Sequence, residues 1–245
     1  MPKAHSKTTA PKLSLPKRKA IIIPIGLPRA STLVAYERIK KMILDNSLAP
    51  GDRILEQALA DQIELSRTPV REALVRLEQE GLIEVVPRHG IRVLPLSPED
   101  MQEIYEVLIA LEPKATEMLT LKKPSKKDIA PLIKACEDME EALAKDDLQM
   151  WASADADFHS SLVSLCGNKR LAAMVSMVWE QSHRARMFTL RLRLKPEQST
   201  KEHKEIVEAI LSGDAIKARD LYRDHREKAA KSMMKLIGEF GLNRL

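Results

Sequence analysis

Asp155 and His159 stand four residues apart, so on a helix a carboxylate and an imidazole share one face, one turn from each other. Trp151, Phe158 and Leu162 lie on that same face, which turns it inward. His203 falls on the apolar stripe of Ile206, Val207 and Ile210, and His225 on that of Ala218, Tyr222, Ala229 and Met233. Three imidazoles and a carboxylate therefore point into one small bundle from three helices. Burying them is costly unless they are paired or bind a metal. The mix of nitrogen and oxygen donors suits Zn²⁺, Ni²⁺, Mn²⁺ or Fe²⁺. Each imidazole taken alone is more often a satisfied core or surface residue than a ligand, and periodicity by itself leaves both readings open for the set.

A different chemistry sits in Ser66-Arg67-Thr68-Pro69-Val70-Arg71-Glu72-Ala73-Leu74. With Thr68 as N-cap and Pro69 as the first helical residue, a helix start is well specified. Val70, Ala73, Leu74 and Leu77 then share one side, and Thr68, Arg71, Glu72 and Val75 the other. An apolar face opposite a face with Arg and hydroxyl groups is what a DNA recognition helix needs. Arg makes the bidentate contact to guanine, while hydroxyls and backbone N–H groups take phosphates.

The elements that must position this helix are legible on both sides. Leu33, Tyr36, Ile39, Met42 and Ile43 mark an amphipathic helix, which Ala49-Pro50-Gly51-Asp52 breaks. A short second helix follows with Leu55, Leu59 and Ile63 inward. After Gly81, a helix stop, residues 82–86 and 91–94 read as two strands turned by Pro87-Arg88-His89-Gly90. Residues 31–96 thus read as a winged helix-turn-helix, with Arg67, Thr68, Arg71 and the wing tip His89-Gly90 as the DNA-contacting set. Residues 33–96 closely resemble the winged helix of GntR-family bacterial transcription regulators, through Ala49-Pro50-Gly51, Leu55-Glu56, Leu59-Ala60, Ser66 to Leu74, Leu77-Glu78, Glu80-Gly81-Leu82 and Gly90. The chain departs from that family at Glu64-Leu65, where Gly-Val is usual and the turn must tolerate another residue, and at His89, where the wing tip is often Arg.

From Ser97 onward the pattern is all helical, with helices expected near 98–119, 125–145, 148–166, 168–193, 198–212 and 214–238. About six helices in residues 97–245 make one bundle, so the fold class is mainly α: a winged helix-turn-helix followed by an all-helical domain. Asp155-Ala156-Asp157-Phe158-His159, Cys166-Gly167-Asn168, Glu202-His203, Ala209-Ile210, Gly213-Asp214 and His225 resemble the FCD ligand domain that accompanies this winged helix in one GntR branch. The helix count resembles the shorter, vanillate-regulator-like subgroup. The resemblance implies that Asp155, His159, His203 and His225 bind one divalent metal, zinc foremost, and that the metal holds a small organic acid by its carboxylate. Leu108-Ile109 stands where Arg is common in the family, which argues against a di- or tricarboxylate. Arg184 and Arg186 are candidate replacements as effector-binding cations; Arg191 and Arg193 lie further along. A solvated basic face is the simpler reading of His183 and Arg184.

Composition bounds the rest. The chain has 245 residues with 40 Lys and Arg against 35 Asp and Glu, a net charge of +5. Aromatics are only 3% of residues, too few for a single-strand stacking surface. Residues 1–30 carry seven Lys or Arg, no Asp or Glu, and five of the 14 prolines, and read as a disordered basic arm that either seeks phosphate or solubilises. Cys136 and Cys166 form no CxxC pair, which suits a reducing cytoplasm, and the apolar run from Ala20 to Leu27 is too short to span a bilayer.

These readings converge on a homodimeric regulator, a repressor of palindromic operator DNA, controlled by a small organic acid near a metal. Two alternatives stand beside it. A direct metal sensor would use the same ligands; a metal-dependent enzyme would need a general base near the metal, and the sequence offers no surplus inward Glu, Asp or His.

Overall fold

The computed structural model of this chain describes residues 30–192 and 195–241. The basic arm therefore lies outside the described residues, except for Ala30, which opens the first helix.

The first unit runs α1 (Ala30–Leu44), β1 (Arg53–Ile54), α2 (Glu56–Gln62), α3 (Arg67–Gln79), β2 (Ile83–Val86) and β3 (Gly90–Val93). Its core is built by Tyr36, Ile39 and Ile43 of α1, Leu59 of α2, and Val70, Ala73, Leu74 and Leu77 of α3, with Leu82, Ile91 and Val93 beneath. The expected inward stripe holds except at Leu33 and Leu55, which are exposed. Leu55 is the residue before α2 rather than part of it, so it lies off the buried face. β3 pairs with β2 in an antiparallel hairpin and, on its other edge, with β1, a two-residue strand that the sequence pattern is too short to reveal.

Two backbone positions hold this unit together. Glu64, where the family has glycine, takes φ of +54°, a left-handed conformation that the tight turn before α3 imposes. Gly90 has φ of +80°, and a Cβ there would lie 2.1 Å from the Ile54 carbonyl oxygen. Only glycine allows the wing to close on β1.

The helical unit comprises α4 (Pro98–Leu121), α5 (Ala130–Ala144), α6 (Leu148–Leu165), α7 (Lys169–Phe188), a short 3-10 turn (Leu190–Leu192), α8 (Glu197–Ser212) and α9 (Ala215–Phe240). The six expected helices are present with shifted ends. Ser97 and Asp100 form a reciprocal capping box that starts α4. α5 starts five residues later than expected, because Ser125 and Asp128 hydrogen-bond each other in a turn and Pro131 suits the first helical turn. α7 ends at Phe188, where Thr189 turns its hydroxyl back to the Ala185 carbonyl. One core joins all six helices through residues such as Leu108, Leu132, Met139, Phe158, Leu162, Ile206, Ile210 and Tyr222.

Candidate metal centre and nucleic-acid interface

α6 is capped by Asp147, whose carboxylate accepts from the N–H groups of Gln149 and Met150. This start sets the helix phase that turns Trp151, Asp155, Phe158 and His159 inward together. α8 and α9 bring His203 and His225 to the same place. The imidazoles of His159, His203 and His225 each offer a nitrogen, and these three atoms lie within 4.8 Å of one another. Asp155 Oδ1 is 3.6 Å from Nε2 of both His159 and His203. The four residues singled out from spacing are thus together, and all are buried.

The far sides of two of the three rings are fixed as well. His159 Nδ1 shares a 2.6 Å hydrogen bond with the Tyr222 hydroxyl, and His225 Nδ1 lies 2.9 Å from Glu202 Oε2. Binding one ring nitrogen to a carboxylate or hydroxyl sets the tautomer and aims the other nitrogen at a metal. His203 Nδ1 is buried with no partner. Burial pushes the His203 imidazole down to about 3, helped by repulsion from His225, and lowers His159 well below its ordinary value, so both rings are neutral at pH 7 as metal ligands must be. Burial works against ionising Asp155, yet the Arg186 guanidinium on Oδ2 and the neighbouring imidazoles outweigh it and hold the carboxyl well below the usual range. The donor set, its convergence and its supporting hydrogen bonds fit a divalent metal.

This floor opens into a cavity of about 370 Å³. Arg186, His183 and Met187 of α7 line it, with Trp151 of α6, Leu190 and Leu192 of the 3-10 turn, and Leu236 of α9. Of the two arginines offered as effector contacts, Arg186 is on the cavity and Arg184 is not. Arg184 is 1% exposed, and its backbone carbonyl accepts a 3.4 Å hydrogen bond from Asn46 after α1. The expected solvated face at His183 and Arg184 is absent because α7 is covered on both sides, by the cavity wall and by the winged helix. Burial pushes His183 down to about 4 and Arg184 to about 10.

Sequence reasoning missed the roles of four residues here. Glu202 is an inward carboxylate, held at about 2 by its hydrogen bond to His225 and by Lys228, which corrects the expectation that no surplus inward acid exists. His183 is a further imidazole on the cavity wall. Arg226 and Glu112 form a fully buried bidentate pair that ties α9 to α4. Adjacent residues gave faint signals: Glu112 follows an apolar run, and Arg226 follows His225.

On the first unit, α3 begins at Arg67 with Ser66 as N-cap, two residues earlier than expected, so Pro69 is its third residue. Proline is tolerated there because first-turn N–H groups lack helical partners in any case. Ser66 makes no side-chain cap bond. Thr68 and the wing-tip His89 are exposed. The Arg67 and Arg71 side chains are more than half exposed, and both lean on Glu56 of α2, at 3.9 and 2.8 Å. Gly90 serves the wing by its packing on Ile54. No described helix is long and apolar enough to cross a membrane.

Known proteins resemble this chain in sequence and fold. The family model "Bacterial regulatory proteins, gntR family" matches residues 32–93, and "FCD domain" matches residues 103–228. An HTH-type transcriptional regulator from the TAR-I ttuE-ttuC' intergenic region of Agrobacterium vitis is 43% identical over 53% of this chain and 77% of its own. The HTH-type transcriptional regulator YdhC of Bacillus subtilis is 31% identical over 75% of this chain and 82% of its own. The transcriptional repressor GlaR of Escherichia coli is 25% identical over 80% and 92%. The solved structure of E. coli McbR/YncC superposes with a TM-score of 0.76 at 21% identity, covering 84% of this chain and 98% of that one. With both of its units matched, this chain belongs to the GntR family of bacterial transcription regulators, in the branch whose second domain is FCD.

Proposed function

We propose that the chain is a homodimeric repressor whose grip on palindromic operator DNA is set by a small organic acid bound beside one divalent metal. The observation that carries this reading is the convergence of three buried imidazoles and Asp155, with Asp155, His159 and His225 on the wall of a cavity. Asp155, His159, His203 and His225 would hold the metal, zinc first among Zn²⁺, Ni²⁺, Mn²⁺ and Fe²⁺. Bound there, it supplies a positive charge that an acid's carboxylate can engage. Tyr222 and Glu202 orient the rings, and Arg186 overhangs the site from α7.

α7 links the two units. One face lines the cavity through His183, Arg186 and Met187. The other meets the winged helix. Glu180 pairs with Lys40 of α1 at 2.6 Å; Lys40 also holds Glu80 just past α3, and Gln181 donates to the Glu80 carbonyl. A shift of α7 on acid binding therefore reaches α1 and the end of the recognition helix. Regulation follows if the acid binds the two arrangements with different affinity. On DNA, Arg71 leaves Glu56 to read a base edge, Arg67, Thr68 and the His89-Gly90 wing take the backbone, and the basic arm adds phosphate contacts. A dimer suits this reader, since one short helix contacts too few base pairs for genomic specificity.

The test is operator binding by full-length protein, metal-loaded and metal-stripped, across a panel of organic acids. The reading expects an acid that stabilises the loaded protein, by about 2.7 kcal/mol at a hundredfold its Kd, and changes operator affinity. An operator response to metal alone, with no acid effective, would instead establish a direct metal sensor.

A further inference from the structure

We infer that the cavity selects acids with one carboxylate and an apolar body. This rests on the reading that the cavity binds an acid, and concerns which acid. Four cations line the cavity among the described residues, and each has a carboxylate partner. Arg226 is locked to Glu112, Lys228 lies 2.8 Å from Glu202, Lys235 lies 3.6 Å from Glu239, and Arg186 pairs with Asp155. Asp155 is itself a candidate metal ligand. A metal that takes up its charge leaves Arg186 as the one lining cation free to hold a carboxylate. Arg226 stays locked to Glu112, Lys228 and Lys235 are mostly exposed to solvent, and the buried Glu202 carboxylate faces the same space. A second ligand carboxylate brought beside Glu202 would meet a buried charge of its own sign with no further buried cation free to offset it, and such like-charge pairs are costly.

Much of the rest of the wall is apolar, with Gln198, Ser199 and Ser232 as its uncharged polar members. Leu148, Trp151, Met187, Leu190, Leu192 and Leu236 surround the space away from the metal floor. The indole N–H of Trp151 is spent on Thr200 Oγ1 at 2.9 Å, so its ring offers only apolar surface. A polyhydroxy acid would bury the hydroxyls that face these six side chains without partners. The volume, about 370 Å³, is in the range of small-molecule sites and admits a benzene ring or a short alkyl chain.

The test is calorimetric titration of zinc-loaded full-length protein with acetate, butyrate, hexanoate, benzoate, succinate, citrate and gluconate. Affinity should rise from acetate to hexanoate by up to about fourfold per buried methylene. Binding of hexanoate and benzoate should show a negative heat-capacity change. Succinate, citrate and gluconate should bind at least tenfold more weakly than the better of these two. Arg186→Gln should weaken hexanoate at least tenfold while zinc content stays at the wild-type level, and Arg186→Lys should recover part of the loss. Succinate, citrate or gluconate binding more tightly than every monocarboxylate tested overturns the inference but leaves the acid reading intact. A flat series from acetate to hexanoate overturns it as well. No binding by any acid removes both.

Discussion

Replacing Glu202 by Gln tests whether the cluster is built for a metal. Glu202 Oε2 lies 2.9 Å from His225 Nδ1, while its other oxygen holds Lys228 at 2.8 Å and Gln198 at 3.3 Å. The amide keeps the shape but loses the charge, and it has a single oxygen for three donors. A hydrogen bond to a charged group contributes about 1.5–3 kcal/mol and a neutral one about 1, so His225 loses roughly 1–2 kcal/mol of orientation and basicity. That corresponds to about a five- to thirtyfold loss of metal affinity, overlapping the lower part of the roughly 10–100-fold typical of such supporting residues. Competition with a zinc chelator reads the number directly. The metal-stripped variant should bind operator DNA like the stripped wild type, because Glu202 is remote from α3. Zinc affinity unchanged within about twofold would refute the reasoning.

Other outcomes follow from the same structure. Metal-stripped protein should lose stability as pH falls through about 6.5: His203 is held at about 3 in the fold, so the unfolded chain binds more protons over that window, and by pH 5 this one ring costs about 2 kcal/mol. Urea titrations at pH 7.5 and 5 check it, and an equal midpoint at both would contradict it. Arg71→Ala should weaken operator binding by about 1–3 kcal/mol and flatten preference at one base pair per half-site, with zinc content unchanged; footprinting on operator variants reads this. Glu112→Ala should cost about 3–5 kcal/mol by leaving Arg226 charged and buried, whereas the double change Glu112→Leu, Arg226→Met should be near neutral; equal losses in both would contradict the ion-pair account.

What the sequence disclosed was local periodicity. The i, i+4 spacing of Asp155 and His159 and the apolar stripes around His203 and His225 sufficed to gather four candidate ligands. The run from Ser66 to Leu74 placed Thr68 and Arg71 on an exposed helix face, with Arg67 just ahead of it. What stayed hidden depends on contacts between distant segments. Glu112 and Arg226 are 114 residues apart, and no spacing rule links them. Tyr222 and Glu202 sit on recognisable helices, but their hydrogen bonds to ring nitrogens need the bundle assembled. Arg184 reads as a surface cation until α7 is seen pressed against the loop of Asn46. The two residues of β1 are too few to alternate, and only pairing with Ile91 and Arg92 makes them a strand. The Thr68 cap was misplaced because Ser66 and Thr68 are both good caps, and only the fold selects between them.

The account turns on a metal at Asp155, His159, His203 and His225. Elemental analysis of purified full-length protein, wild type beside His225→Ala, tests it most directly. The account predicts one equivalent of divalent metal per wild-type chain, and a variant that loses it along with the rise in melting temperature that added metal gives the wild type. A wild-type chain that neither retains metal nor gains stability from it, or a variant that keeps full occupancy, would contradict the assignment.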